Sequence, residues 1–576
     1  MCKLQAARAL ADISKRSLTA QTKVAEAGAI PALVALVSGQ GNAANRWSSA
    51  LHKVKDLPTG TGDQPGEANG APTPAERAEE IVANDSANDL NPIRGGTVLT
   101  RGSGTAVARA AASALIEERK RCAASALAAL AENNAANQVE IAAQGGIRAL
   151  VKVISSEERT AAHGDAARAL YHLAVGHLEN QLVRQQRFES ESRPARTSGR
   201  ATSSHWEMIC DLTLAVCWQA VTQVGGLAPL VRMIAAEFVP PEAAISPTGS
   251  RRGASSPEPG LSAASSATEA EIETWAEWGA AAIEALARDC QENQHAIAKA
   301  GAIPPLAALL GSMRESTQAS AQGALLHVAA PSAPEHIRNS VVRPLVAMLS
   351  IRDANAQLMS AETLAILASR SSAGRAAIAT AGAITPFIRL LGDGRNVSTS
   401  QVFAAAGISD LARMTEHKPT IVNEGGVPAL VRMLGSSNSD AKAHASSALC
   451  YLASHSTALP IIVRSGGIAL LVPMLNARPD AARSAAGCLY HLAVSADNKQ
   501  AIAKEGAIVP LVRLLTKTEL SDAAESAAAV LASLAKEKGT SMLPRTEPAK
   551  APRSARSSSW SSVRSTCIKA VGCQLA

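Results

Sequence analysis

Apolar residues recur in one pattern along most of this chain. The phrase reads AEAGAIPALVALV ending at Val37, IAAQGGIRALVKVI ending at Ile154, VTQVGGLAPLVRMI ending at Ile234 and IAKAGAIPPLAALL ending at Leu310. Later copies are IATAGAITPFIRLL, IVNEGGVPALVRML, IVRSGGIALLVPML and IAKEGAIVPLVRLL, ending at Leu391, Leu434, Leu475 and Leu515. In the last of these, Ile508, Leu511, Val512 and Leu515 are spaced 0, 3, 4 and 7, which places four apolar groups on one helical stripe. Gly506 stands where a short preceding helix must reverse direction, and a positive φ there is cheap only for glycine. Pro31, Pro304 and Pro428 fall in the first turn of the following helix, where a missing N–H matters least.

After each stripe a polar loop leads into a longer helix. In the eighth copy it reads DAARSAAGCLYHLA, with Ala482, Ala485, Ala486, Leu489, Leu492 and Ala493 on the apolar face. The matching leucine or isoleucine recurs at Leu10, Leu127, Leu170, Ile283, Leu325, Leu364, Ile408, Leu449, Leu489 and Leu531, which predicts ten such helices. The turn glycines Gly382, Gly425, Gly466 and Gly506 are 43, 41 and 40 residues apart, room for about three helices per unit. A further copy, IRNSVVRPLVAML ending at Leu349, has lost its glycine. Burying one such leucine is worth roughly 1.5–3 kcal/mol, yet a unit of this size has too little core to fold alone. Stacked units share a core and stabilise one another.

The phrase GAIPALVxLL, the period and the Ala-rich third helix resemble the armadillo repeat, over most of residues 1–538 outside the insertions. The style is similar to armadillo proteins of plants and protists and to the yeast vacuolar armadillo protein, without a U-box or an N-terminal Met-Gly signal. The resemblance implies an all-α fold, a right-handed superhelical α-solenoid of about nine to ten armadillo repeats of three helices each.

Breaks in the rhythm set the domain organisation. Leu10 to Leu127 is 117 residues and Leu170 to Ile283 is 113, each about 70 more than one unit. The reading is partial repeats over 1–38, a disordered insertion over 39–105, repeats over 106–181, an insertion over 182–218, a repeat over 219–237 and a Ser/Pro/Ala-rich loop over 238–270. A regular array fills 271–538, and a basic Ser-rich disordered tail fills 539–576. Deleting 182–218 leaves ENQQAVTQVGGL, which lines up with DNKQAIAKEGAI from Asp497, so that stretch reads as a retained intron or other gene-model error. The chain begins inside a third helix, Leu4 to Ser14, so either upstream sequence is missing or this end frays.

Composition sharpens the picture. Hydrophobic residues make up 47% but aromatics only 2%, so the core must be Ala, Leu, Ile and Val. The net charge of +7 sits mostly in the tail, where Arg545, Lys550, Arg553, Arg556, Arg564 and Lys569 face Glu547 alone. A near-neutral body argues against a phosphate-tracking groove, which disfavours nucleic acid as a partner. The nine cysteines include no CxxC pair, and Cys122, Cys450 and Cys488 fall on apolar faces where a thiol packs as a small hydrophobe. No transmembrane run and no signal-peptide core appear, so the expected location is cytoplasmic, with the nucleus also compatible.

No GxSxG, HExxH or Ser/His/Asp arrangement has supporting context, so no enzyme activity, cofactor, small-molecule substrate or metal is expected. The stretch GSGTAVARAAASAL from Gly102 lacks a preceding strand and a P-loop lysine, and reads as a flexible hinge. Armadillo proteins, by the resemblance, bind extended peptides along a concave face lined by third helices, and nuclear-import receptors use Trp and Asn columns there. The Asn column here holds Asp12, Ala129, His172, Ala285, His327, Ile366, Asp410, Tyr451, His491 and Ser533, and the Trp column is also absent. Basic nuclear-localisation peptides are therefore disfavoured. Partner contacts are expected from His172, His327, Asp410, Tyr451, His491 and Ser533, with Tyr171–His172 repeating as Tyr490–His491. The expected function is a non-enzymatic scaffold or adaptor for an extended peptide or helix of another protein. The alternative is the substrate-recruiting armadillo region of a ubiquitin ligase system, and after it a nuclear-import adaptor.

Overall fold

The computed structural model describes residues 2–39, 104–156, 160–175, 221–235, 269–288, 290–392, 397–516 and 521–535. Every regular element among them is a helix, and none is long and apolar enough to cross a membrane by itself. The expected insertion 182–218 and the tail 539–576 lie outside the described residues, as does nearly all of 39–105 and 238–270. Contacts divide the chain into two units, Met1–Val328 and Ala329–Ala576.

In the first unit five third helices, Cys2–Ser14, Gly104–Ala131, Ala162–Val175, Glu269–Ala287 and Glu315–Val328, each pack along the next. Short first and second helices back them, as in Ala135–Ala143 with Gly146–Ile154 and Gln291–Lys299 with Ile303–Leu309. The second unit repeats the scheme with Ala354–Arg370, Thr399–Leu411, Ser439–Ala453, Pro479–Leu492 and Ser521–Ala535. Each unit is an all-α solenoid. The ten leucine and isoleucine positions predicted to mark third helices all fall on them, each between 0 and 3% exposed.

Two local devices make the repeat. The turn glycines Gly28, Gly145, Gly225, Gly301, Gly382, Gly425, Gly466 and Gly506 all hold φ between +76° and +83°, the left-handed region that side chains avoid. The following position takes Gly or Ala, and the Cβ has a visible effect. A Cβ on Gly226 would lie 3.0 Å from the Val221 carbonyl, to which the Gly226 N–H donates at 2.8 Å. Where alanine stands instead, at Ala302, Ala383 and Ala507, the same bond is 3.2–3.3 Å.

The second device closes the third helix. Gln138 Nε2 donates to the Ala131 carbonyl at 2.8 Å, Gln294 Nε2 to Ala287 at 2.9 Å and Arg375 Nη1 to Ala368 at 2.9 Å. Each side chain reaches seven residues back to a carbonyl in the last turn of the preceding third helix, which would otherwise lack a partner. Arg338 also reaches seven residues back, to the Pro331 carbonyl at 3.3 Å, which lies past the end of the helix Glu315–Val328.

The copy without a glycine has no turn at all. Glu335–Met348 is one continuous helix that replaces both short helices, and Pro344 lies inside it. From Arg338 to Leu349 is 11 positions, against 16 from Arg375 to Leu391, so the residues that would make the reversal are missing. Ile337, Val341, Val342, Leu345 and Val346 are all buried along it.

One expectation is overturned. From Gly104 onward the glycine-containing stretch is not a hinge but the start of the 28-residue helix Gly104–Ala131. Its run of Ala, Arg and Leu has high helix propensity, and a glycine at the first helical position breaks no turn.

Candidate functional site

The third helices present to solvent the stripe that their packing leaves uncovered. In the first unit much of this stripe is already occupied by bonds between neighbouring repeats. Arg8 pairs with Glu118 at 3.1 Å, Arg121 with Asp165 at 3.7 Å, and Arg168 Nη2 donates to Ser125 Oγ at 2.9 Å. Such part-exposed pairs add little stability, but they fill the face.

His172 belongs to an aromatic cluster beside these pairs. Its ring centroid lies 5.2 Å from Tyr171 and 6.0 Å from Trp278, while the Arg168 guanidinium stands 5.9 Å over the Trp278 ring. Burial lowers the His172 pKa to about 4, with the Arg168 charge acting in the same direction, so the ring is neutral at pH 7. Its backbone carbonyl accepts from Gln138 Nε2 at 3.0 Å. His327 stands half-buried two residues past the buried Leu325, on a different third helix.

The second unit is arranged differently. Asp410 is half-buried and faces Arg413 at 3.5 Å; burial raises its carboxyl pKa and the arginine opposes the shift. Tyr451 and His491 occupy matching positions on the adjoining helices Ser439–Ala453 and Pro479–Leu492. Those helices approach closely because Gly487 has no side chain: a Cβ there would be 2.7 Å from Cys450 Sγ. Tyr451 is 38% exposed, Tyr490 48% and Val494, just beyond the second helix, 79%. The Tyr490 and His491 rings are 5.3 Å apart.

Ser533 departs from the expected role. Its hydroxyl donates to the Ala493 carbonyl at 3.0 Å, so it ties the last two third helices together instead of waiting for a partner. The six expected contact residues therefore differ in environment. In the second unit Asp410, Tyr451 and His491 hold matching positions on three successively packed third helices, and in the first unit His172 sits in an aromatic cluster while His327 lies on the helix Glu315–Val328. Trp278 and Val494 were not anticipated. Trp278 lies on a third helix five residues before Ile283 rather than in the family's Trp column, and Val494 is a lone apolar residue in a polar turn.

The thiols behave as packed apolar groups. Cys488 is fully buried and Cys122 nearly so, and burial raises the Cys450 pKa to about 11. Among the described residues no three His, Cys, Asp or Glu side chains gather as metal ligands would.

The family model for the Armadillo/beta-catenin-like repeat matches residues 290–330 and 414–454, each a complete first, second and third helix. The chain is an armadillo-repeat protein. A solved engineered protein is 25% identical to this armadillo chain, aligns over 80% of it and 90% of its own length, and gives a TM-score of 0.50. A second engineered protein is 30% identical over 40% of the armadillo chain and 96% of its own, with a TM-score of 0.35. A designed armadillo repeat protein is 20% identical over 40% and 99%, also at 0.35. No curated protein matches the armadillo chain, so its similarity to plant, protist or yeast members stays an expectation.

Proposed function

We propose that the second unit holds an extended segment of another protein against its third helices, and that the chain serves as a non-enzymatic scaffold or adaptor. Armadillo solenoids are typically protein-binding scaffolds. The observation that carries the reading here is the exposure of Tyr451 and Tyr490 on two adjoining third helices, with Val494 exposed just past the second. Tyrosine presents a rigid apolar face and a polar tip, a combination enriched where proteins bind one another.

The test is a selection of displayed random peptides on the full chain. Peptides that bind should lose most of their affinity to the Tyr451→Ala/Tyr490→Ala double variant. Selected peptides that bind this variant as tightly as the parent chain would place the interaction elsewhere and refute the reading.

A further inference from the structure

Lys418 opens a short first helix, Lys418–Asn423, and corresponds in the repeat to Gln138, Gln294 and Arg375, each seven residues before a turn glycine. Those three side chains donate to carbonyls of the preceding third helix. Lys418 does not. Its Nζ donates instead to Ser454 Oγ at 2.7 Å, just past the helix Ser439–Ala453, and the Ser454 hydroxyl donates in turn to the Tyr451 carbonyl at 2.8 Å. The amine is thus directed toward the end of the helix that carries Tyr451.

The residue is only 9% exposed, and no carboxylate among the described residues lies within ion-pair distance of its amine. Among the ion pairs of the second unit's third helices, Asp410–Arg413 and Asp440–Arg478 are each internally neutral. A largely buried ammonium with one hydroxyl partner keeps two N–H donors and a full charge uncompensated, which is a costly arrangement for a free surface. It becomes favourable when a negative group from outside completes it.

We propose that Lys418 and Ser454 form a subsite for a carboxylate side chain of the bound segment, flanked by Tyr451 and Tyr490, which hold an apolar neighbour of that acidic residue. This rests on the peptide-binding reading above and names the chemistry of its ligand: an acidic peptide with an adjacent aliphatic or aromatic residue. The place is cationic in two other repeats as well, at Arg375 and Lys499, but Arg375, like Gln138 and Gln294, is engaged by a backbone carbonyl, whereas Lys418 reaches Ser454.

The same displayed-peptide selection on the full chain tests it, with Lys418→Gln as the second bait. Glutamine is what sister repeats carry at this position, so the variant keeps a side chain the fold accepts; amide exchange of the helix Ser439–Ala453 verifies this. Peptides selected on the parent chain should be enriched in Asp or Glu, and synthetic copies should bind Lys418→Gln about ten-fold or more weakly, in line with loss of a charge-assisted bond. Replacing the acidic residue of such a peptide by its amide should cost the same factor on the parent chain and nothing further on the variant. Peptides that depend on Tyr451 and Tyr490 but show no acidic enrichment, or that bind Lys418→Gln unchanged, would overturn the subsite while leaving the peptide-binding face intact. Peptides indifferent to both tyrosines, or no selected peptide at all, would overturn both.

Discussion

Replacing Gly382 by alanine isolates the cost of a backbone conformation. Gly382 holds φ at +80°, and no atom lies within 4 Å of where a Cβ would be, so the substitution meets strain but no collision. Left-handed backbone at an alanine costs about 1–2 kcal/mol. That corresponds to roughly a 5- to 30-fold rise in the equilibrium constant for opening the reversal between Ser372–Thr380 and Ile384–Leu391. Repeat arrays open by neighbouring units rather than all at once, so a global melting temperature is the wrong observable. Amide hydrogen exchange of peptides spanning Ser372 to Leu391 in the full chain reads the local change directly. Asparagine tolerates the left-handed region better than alanine, so Gly382→Asn should accelerate exchange less than Gly382→Ala, despite being larger. Equal exchange in Gly382→Ala and the parent chain would refute the reasoning, and so would an asparagine variant worse than alanine, since size and not φ would then be deciding.

Other outcomes follow from the same geometry. Phe387 is fully buried, with its ring 2.9 Å from where a Cβ on Gly407 would be; Phe387→Ala should destabilise the surrounding repeats by about 3–5 kcal/mol in urea-dependent exchange, and Gly407→Ala by about 1–3 kcal/mol. Arg375→Met should cost about 1–2 kcal/mol by orphaning the Ala368 carbonyl, while Arg375→Gln, the residue of sister repeats, should recover most of it in the same measurement. His172 has a folded pKa of about 4, below the ordinary value, so the unfolded chain takes up a proton that the folded chain refuses. The stability of its repeat should be complete above about pH 6.5 and fall progressively toward pH 4. His172→Gln should flatten that part of the profile, followed by exchange of the helix Ala162–Val175.

The repeat and its helices were legible because both signals are local. A stripe of apolar residues needs only the helical period, and a glycine between two stripes needs only the steric cost of positive φ, so the helix Ile508–Thr516 and Gly506 announce themselves without any tertiary knowledge, although the buried face is Ala507, Leu511 and Leu514 and the predicted Val512 is 39% exposed. The ten third helices followed from one leucine each, since a fully buried position in a stacked array admits few other residues. The missing glycine before Leu349 signalled an irregular repeat, although its outcome, one helix in place of two, depended on the missing residues having no other route for the chain. The stretch from Gly102 misled because two glycines near its start drew attention from the alanines that follow, whose propensity and packing carry the helix through.

The candidate site was less legible, because adjacency between third helices is set by contacts about 40 residues apart in sequence. Equivalent column positions share a register but not an environment: Ser533 finds the Ala493 carbonyl, His172 finds Trp278, and Tyr451 finds open solvent. The sequence by itself determined the all-α solenoid, its period and its buried leucines, since these rest on helical geometry and apolar burial that every copy repeats. Only the tertiary structure decided which polar side chains are satisfied inside the fold and which are left for a partner. It distinguishes Gln138 from Lys418 although both hold the same place in the repeat, because satisfaction depends on where the far end of a side chain comes to rest.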